Sequence, residues 1–376
     1  MRVAILEENH FETVYALIQL FDNGQNQLYL FTESPAARVL REWLGEKSEQ
    51  FNWTVRLENE STYKFCERIS TCIQREKIAL LYLSTVSRHH IVYAALLRKH
   101  PSLYSIWNIH DINEQFRYKP GWRPRSWLRW WGQKKLRTAV DALNVISTSL
   151  VPALEKATNG EKKILTIPGA VWNKTPQQAP ALSFSQLPLR IVVPGSIDEK
   201  RRDYEEVLEL AAALPAGLAK IVVLGGGSDD YSRSVWEKCR QIGPEKLEWS
   251  ETGFVPAADF EAQLAAAHFI WMPVRIHSFS SAGTPEIYGT SKATGNLFDA
   301  IRHAKPFFHP AALIVDEELL SAAHAYENVF HLLELLQNIS GNAALYEEMA
   351  TGAQTAASRF TVEAIRVRFP ELFSSE

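Results

Sequence analysis

Apolar residues in this chain fall into short runs separated by longer amphipathic stretches. Residues 3–6, 28–31, 78–83, 103–109, 142–147 and 164–167 read as strands, and residues 53–57 alternate like one. Between them the period changes to that of a helix: from Asn9 through Leu17, Leu20 and Phe21, then over 35–44, 63–75 and 91–97. Strands alternating with helices predict right-handed crossovers and a parallel sheet.

The period is lost over 172–188, where Trp172 opens a stretch with Pro176 and Pro180. This reads as an interdomain linker. A second strand–helix series follows: strands over 191–193, 220–224 and 269–273, a short one over 311–315, and helices over 204–214 and 234–240. An amphipathic segment over 361–369 is expected to return to the first domain. The expected division is an N-terminal Rossmann-like domain over 1–171, a linker over 172–188, a C-terminal Rossmann-like domain over 189–360, and a returning helix over 361–376. Two parallel sheets imply a cleft between them, since ligands of open parallel sheets bind beyond the carboxyl ends of the strands.

Length supports two domains: 376 residues exceed one usual core. A net charge of −3 argues against a general nucleic-acid binder. Cys66, Cys72 and Cys239 form no C-x-x-C pair or metal spacing and read as buried small hydrophobes of a reducing compartment. The opening residues are too acidic for a signal peptide, and no apolar run approaches the ~20 residues that span a bilayer. A cytoplasmic protein is expected. No H-E-x-x-H, Asp-x-Asp or Walker A pattern occurs, so no metal and no resident cofactor is expected.

Three segments carry candidate chemistry. Residues 285–300, followed by Lys305-Pro306, read as a polar loop running into an amphipathic helix, whose N-terminus stabilises an anion. Lys292 adds a mobile cation, Thr294, Gly295 and Asn296 line the loop, and Asp299 is placed to accept hydrogen bonds from sugar hydroxyls. Residues 194–204 place Gly195 and Ser196 directly after a strand, with Arg201 and Arg202 suited to bidentate diphosphate contacts. Gly225-Gly226-Gly227 also follows a strand; Asp230 at the third glycine position breaks the dinucleotide fingerprint. Each of these also reads as an ordinary turn or capped helix.

Two further features are less tied to a nucleotide. His110, at a strand's carboxyl end, and His10, after the first strand, suit a general base or a hydrogen bond to a substrate hydroxyl; a lone histidine is also often structural. Residues 116–137 hold Trp122, Arg125, Trp127, Arg129, Trp130, Trp131 and Lys134 and no acidic residue. Trp and Arg together suit the headgroup region of an anionic membrane, single-stranded nucleic acid or an anionic polysaccharide. A buried Trp cluster flanked by exposed cations is the other reading.

These residues resemble GT-B glycosyltransferases, especially the large retaining family of bacterial surface-polysaccharide enzymes. The resemblance is strongest over 191–310 and otherwise rests on strand–helix alternation and Ile109-His110-Asp111. It implies two Rossmann-like domains, the C-terminal one holding a nucleotide-diphosphate sugar and the N-terminal one the acceptor, with no metal needed. Gly195 matches the glycine of the family's Gly-Arg turn, with Ser196 for the arginine, and Arg201 matches a diphosphate-binding lysine. Phe254 and Val255 would lie beside the nucleobase. Asp299 matches the second glutamate of a Glu-seven residues-Glu motif, and Lys305-Pro306 its ending, with Ala304 for a glycine. Ser291 stands at the first glutamate position, so Glu286 would substitute from further upstream. The implied function is transfer of a sugar to a glycan or lipid-linked hydroxyl acceptor, with His110, Glu286 and His10 at the catalytic centre and peripheral membrane contact fitting a lipid-linked acceptor. The alternative is a non-catalytic relative that binds a nucleotide sugar or polysaccharide.

Overall fold

A computed structural model describes residues 1–8, 10–173 and 188–373. Its first sheet contains β1 (Arg2–Glu7), β2 (Gln27–Thr32), β3 (Asn52–Val55), β4 (Leu80–Leu83), β5 (Tyr104–Asn108), β6 (Ala142–Asn144) and β7 (Lys163–Leu165). Their order is β3-β2-β1-β4-β5-β6-β7, and every pairing is parallel. The central strands are buried on both faces. Val3 and Ile5 pack into one layer, Ala4 and Leu6 into the other. A parallel strand covered on both sides reads as an unbroken apolar run rather than an alternation, which is why β1 and β4 are visible in the sequence.

The second sheet repeats the plan. It contains β8 (Leu189–Pro194), β9 (Ala219–Leu224), β10 (Leu247–Trp249), β11 (Phe269–Trp271), β14 (Phe307–Pro310) and β15 (Ala323–Tyr326), in the order β10-β9-β8-β11-β14-β15. It is also parallel throughout. A separate antiparallel hairpin is made by β12 (His277–Phe279) and β13 (Pro285–Ile287). In both sheets the strand order reverses beside the first strand, between β1 and β4 and between β8 and β11, where parallel folds open a crevice. This is the α/β GT-B arrangement of two Rossmann-like units facing a cleft.

Several expectations are corrected. Residues 311–313 form a turn and bend and 314–315 are irregular; the strand lies just upstream in β14, and β10 and β15 were not anticipated. Residues 285–287 are a strand of the hairpin, not loop. Trp172 is 2 % exposed and donates its backbone N–H to the Phe360 carbonyl at 2.8 Å, so it is core. The rest of the expected linker, 174–187, lies outside the described residues.

The chain end packs on the first unit. In the helix Val362–Arg368, Arg366 donates to the carbonyls of Gln19 (2.9 Å), Leu20 (2.9 Å) and Asp22 (2.8 Å). These carbonyls end the helix Phe11–Phe21, where the last turn has no intrahelical donors and a cation is favoured. Phe373 meets Phe21 with ring centroids 4.8 Å apart. The free cysteines Cys66, Cys72 and Cys239 are all buried.

Candidate active site in the interdomain cleft

A cleft of about 510 Å³ opens at the two switch points. One wall comes from the first unit: His10, Glu12, Trp43, His110 and Asp111. The other comes from the second: Gly195, Ser196, Arg201, Arg202, Gly226, Phe254, Val255, Lys292, Thr294, Gly295, Asn296 and Asp299. Every residue expected to hold the donor therefore lines one cavity, as do both histidines.

Glycine builds the floor on the second unit's side. Gly195 has φ +96°, which side-chain residues rarely adopt, and a Cβ there would overlap the Arg202 guanidinium. A Cβ on Gly225 would overlap the Gly195 carbonyl, and one on Gly226 the backbone of Gly253. The loops after β8, β9 and β10 thus touch backbone to backbone. The triple glycine serves this close packing.

Arg202 is held across that floor. It donates to the Ser196 carbonyl at 3.0 Å and to Asn296 Oδ1 at 3.2 Å. Asn296 in turn donates to the Pro194 carbonyl at 2.8 Å, tying the helix Asn296–His303 to the end of β8. Gly295, at the N-cap, has no side chain to cap that helix, the Asn296 N–H donates to Thr294 Oγ1 at 3.4 Å, and Gly295 and Asn296 line the cleft, which places the helix's positive end at its wall. Arg201 is more exposed and pairs with Asp198 at 3.2 Å. The resemblance pointed to Arg201 as the diphosphate cation; both arginines line the cleft.

Asp299 is buried, and its Oδ1 is taken by Arg302 at 2.6 Å. Burial raises its carboxyl above the ordinary range, against the pull of Arg302. Arg302 also reaches Glu261 at 3.4 Å and lies over the Trp43 ring at 5.5 Å. Lys292 is not the mobile cation expected of its loop. It pairs with Asp111 of the opposite wall at 3.0 Å, and Ile112 N–H donates to the Ser291 carbonyl at 2.9 Å beside it.

On the facing wall, the rings of His10 and His110 stand 5.0 Å apart. The His110 Nε2 lies 3.0 Å from the Ser84 carbonyl, 3.1 Å from the Thr85 hydroxyl and 3.2 Å from the Asn108 amide nitrogen. A carbonyl only accepts, so Nε2 is assigned the proton and Nδ1 is the basic nitrogen. Burial, then the neighbouring His10, push the imidazole down to about 4, so it is neutral at pH 7. The His10 backbone N–H donates to Glu7 Oε1 at 2.7 Å, which orients the loop after β1.

Glu286 does not line the cleft. It is 1 % exposed and accepts from the backbone N–H of Glu114 (2.7 Å) and Asn113 (3.3 Å) and from the Ser291 hydroxyl. Asn113 and Glu114 open the helix Ile112–Arg117 of the first unit, so Glu286 fills an orphan-donor site at a helix N-terminus. It bridges the two units. Besides Asp111 and Asp299, a third carboxylate lines the cleft: Glu12, whose pKa burial raises and which lies within electrostatic reach of His10, Arg302 and Asp299. Sequence reading passed over it. The signal available was its place in the first turn after β1, beside His10.

The aromatic segment lies outside the cleft. It forms the helix Pro124–Ala139 and the turn before it. Trp122, Trp127 and Trp131 are exposed, which excludes the buried-cluster reading for them, and Trp130 is half-buried. Arg129 faces inward onto the buried carboxylate of Glu114, so it belongs to the structure of this unit rather than to an outer surface.

No family model and no curated protein sequence matches the chain. Solved structures do match along its full length. The pneumococcal O-GlcNAc transferase GtfA in complex with UDP and GlcNAc is 10 % identical, with 100 % of this chain and 99 % of that chain covered and a TM-score of 0.59. The catalytic domain of starch synthase IV from Arabidopsis thaliana, bound to ADP and acarbose, is 9 % identical over 99 % and 98 %, with a TM-score of 0.61. UDP-GlcNAc 2-epimerase from Neisseria meningitidis, bound to UDP-GlcNAc, is 9 % identical over 99 % of both chains, with a TM-score of 0.56. At such identities the likeness is one of fold.

Proposed function

We propose that this protein is a glycosyltransferase that moves a sugar from a nucleotide-diphosphate sugar to a hydroxyl acceptor, without a metal, in surface-polysaccharide or glycolipid assembly. The observation that carries the reading is the two-sided cleft. One wall offers Arg202, Arg201 and an uncapped helix N-terminus. The other offers an imidazole that burial keeps neutral. On this reading residues 189–360 bind the donor, residues 1–171 bind the acceptor, and the returning helix Val362–Arg368 completes the first unit.

The chemistry follows from the charges. Breaking the bond between the anomeric carbon and the diphosphate oxygen leaves negative charge on the leaving group. Arg202, Arg201 and the N-terminus of Asn296–His303 face that charge and lower the barrier. The acceptor oxygen forms the new bond, and its proton passes to a base on the opposite wall, for which His110, His10 and Glu12 are placed. Phe254 and Val255 supply an apolar shelf for a nucleobase. Asp299 keeps one carboxylate oxygen for a ribose hydroxyl while Arg302 holds the other.

Thermal shift against nucleoside diphosphates and nucleotide sugars, with and without chelator, tests the binding half, since a ligand of the native state raises the melting temperature by mass action. A chelator-insensitive shift with one diphosphate is expected. NMR of the shifted nucleotide sugar then separates the reactions. Slow release of free sugar marks a transferase without its acceptor; a change of configuration at a ring carbon with the nucleotide still attached marks an epimerase and overturns the reading.

A further inference from the structure

The helix Pro124–Ala139 is anchored by one face and bare on the other. Gly132, Gln133 and Leu136 are buried. Gly132 lies so close to Ile91 that a Cβ would stand 2.9 Å from its backbone nitrogen, and Gln133 donates to the Glu114 carbonyl at 3.1 Å. The outer face carries Trp127, Leu128 and Trp131, exposed by 53 %, 54 % and 48 %, and Trp122 just before the helix, exposed by 87 %. Positions 127, 128 and 131 share one helical face.

The charge on this face is of one sign. Residues 116–137 contain eight Lys or Arg and no Asp or Glu, in a chain whose net charge is −3. Among the described residues, only Arg129 of these eight forms an ion pair. Arg123 lies over Trp122 at 5.6 Å, Lys134 over Trp130 at 3.8 Å and Lys135 over Trp131 at 5.4 Å. Large aromatic side chains left in water beside unpaired cations mark an interaction surface.

We propose that this face docks on an anionic lipid bilayer, with Trp122, Trp127, Leu128 and Trp131 at headgroup depth and Arg123, Arg125, Lys134 and Lys135 against lipid phosphates. Trp and Arg at an interface, on a helix lying in the membrane plane, match that environment. Single-stranded nucleic acid fits less well. Base stacking needs open aromatic faces along a groove, whereas here the surface is an outward helix face and cations already lie over Trp130 and Trp131. The opposite face is packed into the first unit, so docking requires no refolding.

Co-sedimentation of the full chain tests this with two vesicle types: phosphatidylcholine alone, and phosphatidylcholine mixed with phosphatidylglycerol. Partitioning onto the mixed vesicles only is expected, weakening as salt rises. The triple change Trp122→Ala, Trp127→Ala and Trp131→Ala, and separately Arg123→Gln with Arg125→Gln, should each reduce it by tenfold or more. Because these side chains are exposed, melting temperatures should stay within the wild-type range, and a variant that melts lower is replaced by Trp122→Ala alone. Failure to bind the mixed vesicles, equal binding by the triple variant, or capture of a single-stranded oligonucleotide in place of vesicles would each overturn the proposal. None of these readouts depends on the nucleotide-sugar reading.

Discussion

The carboxylate of Glu286 accepts the backbone N–H of Glu114 at 2.7 Å, joining the hairpin of the second unit to a helix N-terminus of the first. Its Ser291 partner belongs to the loop that also carries Lys292. One buried acid thus helps set the position of the cleft's cationic loop.

Removing that acid should cost stability rather than chemistry. Glu286→Ala leaves two backbone N–H groups and a hydroxyl short of an acceptor, at about 1–3 kcal/mol. Burial raises this carboxyl from 4.5 to about 7. The folded chain therefore binds more protons than the unfolded chain between those values. The contribution of Glu286 is fully present below pH 4.5 and declines as pH rises through about 7. The melting-temperature gap between wild type and Glu286→Ala should narrow over that window. A variant with wild-type stability and abolished turnover would return Glu286 to a catalytic role.

Gly195→Ala should act through Arg202. The new methyl group has no room beside the guanidinium, and the backbone at φ +96° is strained for alanine. Donor affinity should fall by roughly tenfold to a hundredfold, an amount in the range of one charge-assisted hydrogen bond. Arg202→Gln should weaken the same ligand comparably in calorimetric titration, and the double change should add little, because both remove one contact.

His110 offers a pH test. Held down to about 4 by burial, it stays unprotonated across the neutral range. If it is the base, kcat should lose activity on the acid side near pH 4 rather than near 6.5. His110→Asn should reduce kcat by about 10²–10⁴-fold with donor affinity retained. Glu12→Gln belongs in the same series; an undiminished kcat in both variants would leave the proton with His10.

Asp111 and Lys292 should couple across the cleft. Their side chains are 23 % and 13 % exposed and 3.0 Å apart, so the pair is better shielded than a surface ion pair worth at most about 1 kcal/mol. A cycle of Asp111→Asn, Lys292→Met and the double variant, read by denaturant unfolding, should return a coupling above about 1 kcal/mol. A coupling near zero would show that the contact does not hold the units together.

The sequence by itself determined the two parallel sheets and much of the cleft wall on the second unit. Apolar runs such as those of β1 and β8 are local signals of strands buried on both faces. Gly195 and Gly226 announce close backbone approach from their own neighbourhood. Tertiary structure alone decided that Glu286 lies outside the cleft. Glu286 and Glu114 lie 172 positions apart, and no periodicity in either segment records that one carboxylate meets the other's helix start. Nor could the sequence show that Lys292 crosses to Asp111. The same holds for the helix Pro124–Ala139. Its period fixes which residues share a face, but which face lies against Ile91 and which meets solvent depends on packing contributed by the rest of the chain.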